Sequence, residues 1–230
     1  MKIYALYLET ELSALTFNNL LSYVSNEKQE KVKRFMKKAD AERSLLSDLL
    51  SRIAIMENLK VQNRDIQFIY NKYGKPSLIN FPDFHFNLSH SGNWIVCAID
   101  NKAIGIDIEK IDNIDLDIAK RFFSDKEYFD LMNKPYSHRN SYFFDLWTLK
   151  ESYIKALGCG LSLPLDSFAF TIEKDTISLD TANEFNQCFF KQYDIDKNYK
   201  MGICSLNNTF PNSIDFKTWE DVLSTLSIYK

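Results

Sequence analysis

Residues Lys2 to Leu8 alternate polar and apolar partners, the period of a half-buried strand. From Ser25 to Leu59 the spacing becomes helical, with Val32, Phe35, Met36, Leu45, Leu46, Leu49, Leu50 and Ile53 in the apolar set, and the stretch predicts two helical pieces. Glu27–Lys31 and Glu30–Arg34 stand four apart with the acid first, the favourable order on a helix surface. Ile66 to Tyr70 predicts a strand and Tyr73-Gly-Lys-Pro76 a turn. His85–Ser89 and Trp94–Ile99 predict a hairpin about the Ser-Gly-Asn turn at 91–93, and Gly105 to Glu109 a further short strand.

The second half repeats this order. Ser124-Asp-Lys-Glu opens a helix as Ser25-Asn-Glu-Lys does, and Asp145-Leu146 lies in a long helix much as Asp48-Leu49 does. Gly160-Leu-Ser-Leu-Pro164 then leads into strands at Ser167–Ile172, Phe189–Tyr193 and Met201–Leu206. This order predicts an α+β fold of two pseudo-symmetric lobes, 1–102 and 103–230, with a cleft between them. Identity between the halves is slight, so a chance match stands beside duplication at this point.

Composition narrows the class. The 230 residues are 45% hydrophobic and 26% charged, enough apolar material for a packed core and against a mainly disordered chain. A net charge of −3 excludes a globally basic nucleic-acid coat. Cys97, Cys159, Cys188 and Cys204 are too far apart in sequence for a zinc or C-x-x-C pair, and read as reduced thiols. Glu9 and Glu11 interrupt any signal-type apolar run, and no stretch approaches the roughly 18 apolar residues of a membrane helix. The expectation is a cytoplasmic protein with neither nucleic-acid nor membrane partners.

Three segments carry candidate chemistry. In Gly105-Ile-Asp-Ile-Glu109 the strand period puts Asp107 and Glu109 on one face. Two such carboxylates repel unless they share a cation, and Mg²⁺ with phosphate oxygens is a natural partner; a solvated acidic strand is the plainer alternative. In Trp147-Thr-Leu-Lys-Glu-Ser-Tyr-Ile-Lys155, Trp147, Glu151 and Lys155 are spaced by four on one helical face. That face suits a metal with a polyphosphate, while a surface Glu151–Lys155 pair and a core Trp147 would give the same spacing. Asn87-Leu-Ser-His-Ser-Gly92 gathers Ser89 and His90 at a tight turn able to hold phosphate, or else a structural histidine. His85 and His138 have no such company and read as structural. The basic run Lys28, Lys31, Lys33, Arg34, Lys37, Lys38 and Arg43 is phosphate-binding or simply solubilising.

In this order and spacing, the three segments closely resemble the signature motifs of 4′-phosphopantetheinyl transferases of the surfactin-synthetase-activating type. The resemblance extends to Met-Lys-Ile-Tyr at the start, Tyr-Gly-Lys-Pro at 73–76, Ala-Lys-Arg-Phe-Phe-Ser at 119–124 and Gly-Leu-Ser-Leu-Pro-Leu-Asp-Ser-Phe at 160–168. It implies a monomer of two lobes, with coenzyme A as co-substrate in the cleft and Mg²⁺ as cofactor. The first lobe would bind coenzyme A; the second would carry the metal site and dock the carrier.

By that resemblance Asp107, Glu109 and Glu151 hold Mg²⁺ against the coenzyme diphosphate, and Lys155 is a further diphosphate contact. Tyr73, Gly74, Lys75 and Pro76 hold the adenine, and Lys28, Lys31, Arg43, Ser44, Ser89 and His90 the 3′-phosphate and its neighbours. Ser44 stands where relatives commonly carry Thr, which keeps the hydroxyl; Cys159 stands where a lysine is familiar. The segment Ile111 to Ser124 is similar to the family's carrier-docking region, with Ile118, Phe122 and Phe123 as its apolar contacts or as core. Glu151 is the leading general base, with Glu109 the alternative. The implied partners are apo acyl or peptidyl carrier domains, with peptide synthetases the typical clients. A non-catalytic coenzyme A-binding protein and a Mg²⁺-dependent nucleotide hydrolase are the competing readings.

Overall fold

The computed structural model describes residues 1–174 and 176–229. Its first half runs β1 (Lys2–Tyr7), α1 (Ala14–Leu21), α2 (Asn26–Lys33), α3 (Lys38–Leu59), β2 (Phe68–Tyr70), β3 (Pro76–Leu78), β4 (His85–Ser91) and β5 (Trp94–Asp100). The second half runs β6 (Ile104–Lys110), α4 (Asp117–Phe122), α5 (Asp125–Met132), α6 (Tyr136–Leu157), β7 (Phe168–Glu173), β8 (Thr176–Thr181), β9 (Phe189–Gln192) and β10 (Tyr199–Ser205). Two elements follow, β11 (Asp215–Lys217) and α7 (Trp219–Ile228).

The halves match element for element, a closer repeat than the strand, helix, helix, strands order read from the sequence. In each, the first strand pairs antiparallel with the last, giving the order β1-β5-β4 in one sheet and β6-β10-β9 in the other, while β2-β3 and β7-β8 form separate hairpins. Each carries one 22-residue helix, α3 or α6, ending in a left-handed residue, Lys60 or Gly158. Ser25 and Ser124 cap α2 and α5 by accepting a main-chain N–H, which satisfies a donor the first helical turn leaves free.

Strand periodicity sorts the layers. Tyr4, Leu6, Ile95, Cys97 and Ile99 face α3, and Ile3, Ala5, Val96 and Ala98 face the second sheet. There they meet Ile104, Ile106, Ile108, Met201 and Ile203, so an apolar layer lies between the two sheets. The opposite faces of β6 and β10 lie under α6, giving helix, sheet, sheet, helix. β4 runs along the free edge of β6, where the Asn87 side chain accepts the Ile106 main-chain N–H at 2.9 Å.

Several sequence expectations are corrected. Phe35 and Met36, read into the helical apolar set, fall in the break between α2 and α3 and are exposed. The segments α1, β3, α4, β8, β11 and α7 carry structure that the sequence pattern did not predict. β11 adds in parallel to β1, and Val222 and Leu226 of α7 are buried in the first lobe's core. Residues 215–228 therefore pack with elements before residue 102, across the boundary drawn from the sequence. Among the described residues, no helix is long and apolar enough to cross a membrane.

Candidate active site

Close packing of α6 on its sheet brings the site together. A Cβ at Gly105 would lie 1.9 Å from the Ser152 carbonyl oxygen, and one at Gly202 3.0 Å from the Thr148 carbonyl. The two strands thus present hydrogen atoms to the α6 backbone. Gly105, Asp107 and Glu109 share a face of β6, so the helix that rests on Gly105 carries Glu151 and Lys155 over the two acids.

Asp107 is 2% exposed. Its Oδ1 accepts from Lys155 Nζ at 2.6 Å and from Ser89 Oγ at 2.8 Å, and Lys155 also donates to Ser89 Oγ at 3.0 Å. Asp107 Oδ2 is buried with no hydrogen-bond partner. Glu109 Oε2 accepts from Ser91 Oγ at 2.7 Å. Ser89 and Ser91 point the same way from β4, so the first lobe supplies a hydroxyl to each acid of the second.

Burial lifts all three carboxyls, and neighbouring acids add to it at Glu109 and Glu151. Glu109 is pushed up to about 7 by burial and then by the charges of Asp107 and Glu151, against the opposing bond from Ser91. Glu151 is raised by burial and by Asp107. Asp107 is raised by burial, with Lys155 and Ser89 opposing. Among the described residues, no three acids, histidines or cysteines are drawn together closely enough to cage an ion. The donor set is nonetheless a hard-oxygen one with an orphaned buried carboxylate oxygen, which fits a divalent cation such as Mg²⁺ shared with phosphate oxygens and water.

The cationic flank comes from α2 and α3. Lys28 Nζ donates to Ser44 Oγ at 3.1 Å, and burial lowers its pKa, with nearby Lys31 adding to the effect. Lys31 itself is exposed. Arg43 pairs with Asp40 and donates to the Gly92 carbonyl at 3.2 Å, which holds the turn after His90. Burial, then the charges of Arg43 and Lys155, lower the His90 pKa. That histidine is thus set between the two cationic groups of the cleft.

The turn at 71–76 faces the end of α6. Asn71 Oδ1 accepts the main-chain N–H groups of Tyr73 and Lys75 at 2.9 and 3.0 Å, and Gly74 takes φ +84°. Tyr73, Gly74, Pro76, Leu88, Ile154 and Lys155 line a cavity of about 260 Å³. The Lys75 ammonium is committed to main-chain carbonyls at the end of α6 rather than to an anion.

Of the docking candidates, Ile118 is exposed, but Phe123 is buried against Phe143, ring centroids 5.0 Å apart. Trp147 stacks on Phe143 and meets Phe122 edge-on, which makes it a support for that segment. Cys159 is half-buried beside the end of α6. Sequence reasoning did not single out Asn71 or Tyr199, whose hydroxyl accepts the Asn93 main-chain N–H at 3.2 Å from the far lobe. Asn71 does carry a local signal, an Asx-type turn ahead of Gly74, whereas none marks Tyr199, which acts on a segment of the other half.

Two family models cover almost the whole chain. Residues 11–102 match "4′-phosphopantetheinyl transferase, N-terminal" and residues 103–204 match "4′-phosphopantetheinyl transferase superfamily". The chain is 45% identical over 224 residues to the 4′-phosphopantetheinyl transferase Sfp of Bacillus subtilis, covering 97% of this chain and 100% of that protein. It is 42% identical over 202 residues to the 4′-phosphopantetheinyl transferase gsp of Aneurinibacillus migulanus, covering 88% and 84%. Among solved structures, the holo-[acyl-carrier-protein] synthase of Thermotoga maritima aligns with 46% of this chain and 64% of its own, at 19% identity and TM-score 0.40. With both halves of the motif set on one two-lobed frame, the chain belongs to the 4′-phosphopantetheinyl transferase superfamily.

Proposed function

We propose that this protein transfers the 4′-phosphopantetheine arm of coenzyme A to a serine of apo acyl or peptidyl carrier domains, releasing adenosine 3′,5′-bisphosphate. The observation that carries the reading is the Ser89–Asp107–Lys155 contact, which joins both lobes beside Glu109, Glu151 and the 260 Å³ cavity. Asp107, Glu109 and Glu151 would hold Mg²⁺, which when bound neutralises charge on the diphosphate oxygens.

The remaining roles belong to the chain's own side chains. The Tyr73–Pro76 turn takes the adenine, while Lys28, Lys31, Arg43, Ser44 and His90 receive the 3′-phosphate. Lys155 orients the diphosphate and offsets its charge, being already held in place by Asp107 and Ser89. The carrier serine forms a new bond to the β-phosphorus, and the bond from that phosphorus to the bridging oxygen breaks. The serine proton must be taken up. Glu151 and Glu109 are the groups available, the first with its carboxyl pKa raised and the second with its own raised to about 7, each chiefly by burial. Ile118 and Phe122 stand on the proposed carrier-docking segment, and the reaction needs no covalent enzyme nucleophile.

Intact-protein mass spectrometry of an apo peptidyl carrier with this protein, coenzyme A and Mg²⁺ tests the reading. The expected result is a gain of one phosphopantetheine on the carrier, reduced by at least about a hundredfold in rate with Glu151→Ala. No gain on several apo carriers, together with measurable coenzyme A binding, would favour a binding protein instead. Release of adenosine 3′,5′-bisphosphate without any carrier would favour a hydrolase.

A further inference from the structure

Lys75 lies in the turn assigned above to adenine, yet its ammonium is engaged elsewhere. Nζ donates to the main-chain carbonyls of Lys155 at 2.6 Å, Ala156 at 2.9 Å and Ile104 at 3.2 Å. The last carbonyls of a helix lack partners within the helix. In α6 the Ile154 carbonyl is taken by the Gly158 N–H, and Lys75 takes the next two. Asn71 also donates to the Gly158 carbonyl just beyond the helix, at 2.7 Å. Gly158 makes room for both, since a Cβ there would lie 2.9 Å from Lys75 Cδ and 3.2 Å from Asn71 Nδ2.

Three acceptors call for three N–H groups, which an ammonium has and a neutral amine lacks. A cation also suits the negative end of the helix dipole. The titratable neighbours provide no countercharge. Cys159 and Cys204 are both held as thiols by burial, and His85 is pushed toward its neutral form by burial and by Lys75 itself. Burial lowers the Lys75 pKa to about 8. The helix end is therefore the ammonium's principal partner, and one of the carbonyls it grips belongs to Lys155.

We propose that Lys75 is a positioning residue whose ammonium fastens the last turn of α6 to the 71–76 turn, and so sets where Lys155 stands against Asp107. The inference rests on the transferase reading for its kinetic consequences. Lys75 acts on the coenzyme through Lys155.

A double-mutant cycle with Lys75→Met and Lys155→Ala tests this, reading kcat and KM for coenzyme A at saturating apo carrier. Lys75→Met is expected to lower kcat/KM by about tenfold, the scale of a favourably placed helix-end charge. The pair is expected to be no worse than Lys155→Ala alone, to within about twofold. Losses that multiply would place Lys75 on the coenzyme directly and overturn the proposal. Hydrogen exchange of the amides at 154–160 provides a second readout that needs no substrate. Faster exchange there in Lys75→Met, or in the milder Lys75→Gln if Met prevents folding, is expected; unchanged protection would overturn the proposal. If the wild type modified no carrier, the transferase reading would fall while the exchange data would still decide the role of Lys75.

Discussion

His90 shows how neighbouring charges prepare a single side chain. With Arg43 and Lys155 acting on it and burial opposing its charge, the free imidazole is neutral at pH 7. A phosphate brought beside it favours the imidazolium, so the bound pKa rises above the free one. Binding then takes up a proton, and affinity strengthens as pH falls through the window between the two values. Calorimetry of adenosine 3′,5′-bisphosphate at pH 7, in buffers of different ionisation heat, should show greater proton uptake by the wild type than by His90→Asn. Equal uptake would remove His90 from the phosphate site. The candidate acids, Ser89 and His90 were legible because each lies in a short local motif. The commitment of Lys75 to the end of α6 was not, since its acceptors are 29 to 81 residues away along the chain.

At the scale of elements, the seat of α6 is the critical contact. Backbone meets the missing Cβ of Gly105 far inside contact distance, so the helix must move if a methyl is added. Gly105→Ala should cost about 3 kcal/mol or more, at or beyond the upper range for overpacking. Gly202→Ala should cost less, because its closest neighbours are at 3.0 Å. Thermal unfolding ranks the two, and a Gly105→Ala protein as stable as wild type would refute the close seat. The β4–β5 hairpin was legible from its period-two alternation. By contrast, α1 escaped because Asn18 and Asn19 dilute an eight-residue helix, and the three-residue β3 is too short for periodicity to register. The start of α7 did carry a signal, the reciprocal capping of Thr218 and Asp221.

The whole molecule is bound by contacts that disregard the midpoint of the chain. The apolar layer between the sheets and the return of α7 to the first core couple the two lobes. Leu226 is fully buried there, and Lys217 of β11 pairs with Glu57 of α3 at 3.0 Å. Leu226→Ala should destabilise the protein by about 2–5 kcal/mol. Hydrogen exchange should show the loss first in β1 and α3 rather than in α6. Loss confined to α6 would contradict the docking of α7 on the first lobe.

The parallel pairing of β1 with β11 also bears on the order in which a nascent chain matures. Residues 2–7 leave the ribosome some two hundred residues before their strand partner at 215–217. The second lobe's β6-β10-β9 sheet can therefore close before the first lobe has its full edge. During elongation, the α7-facing part of the first core waits uncovered, and emergence of residues 215–228 is the event that seals it.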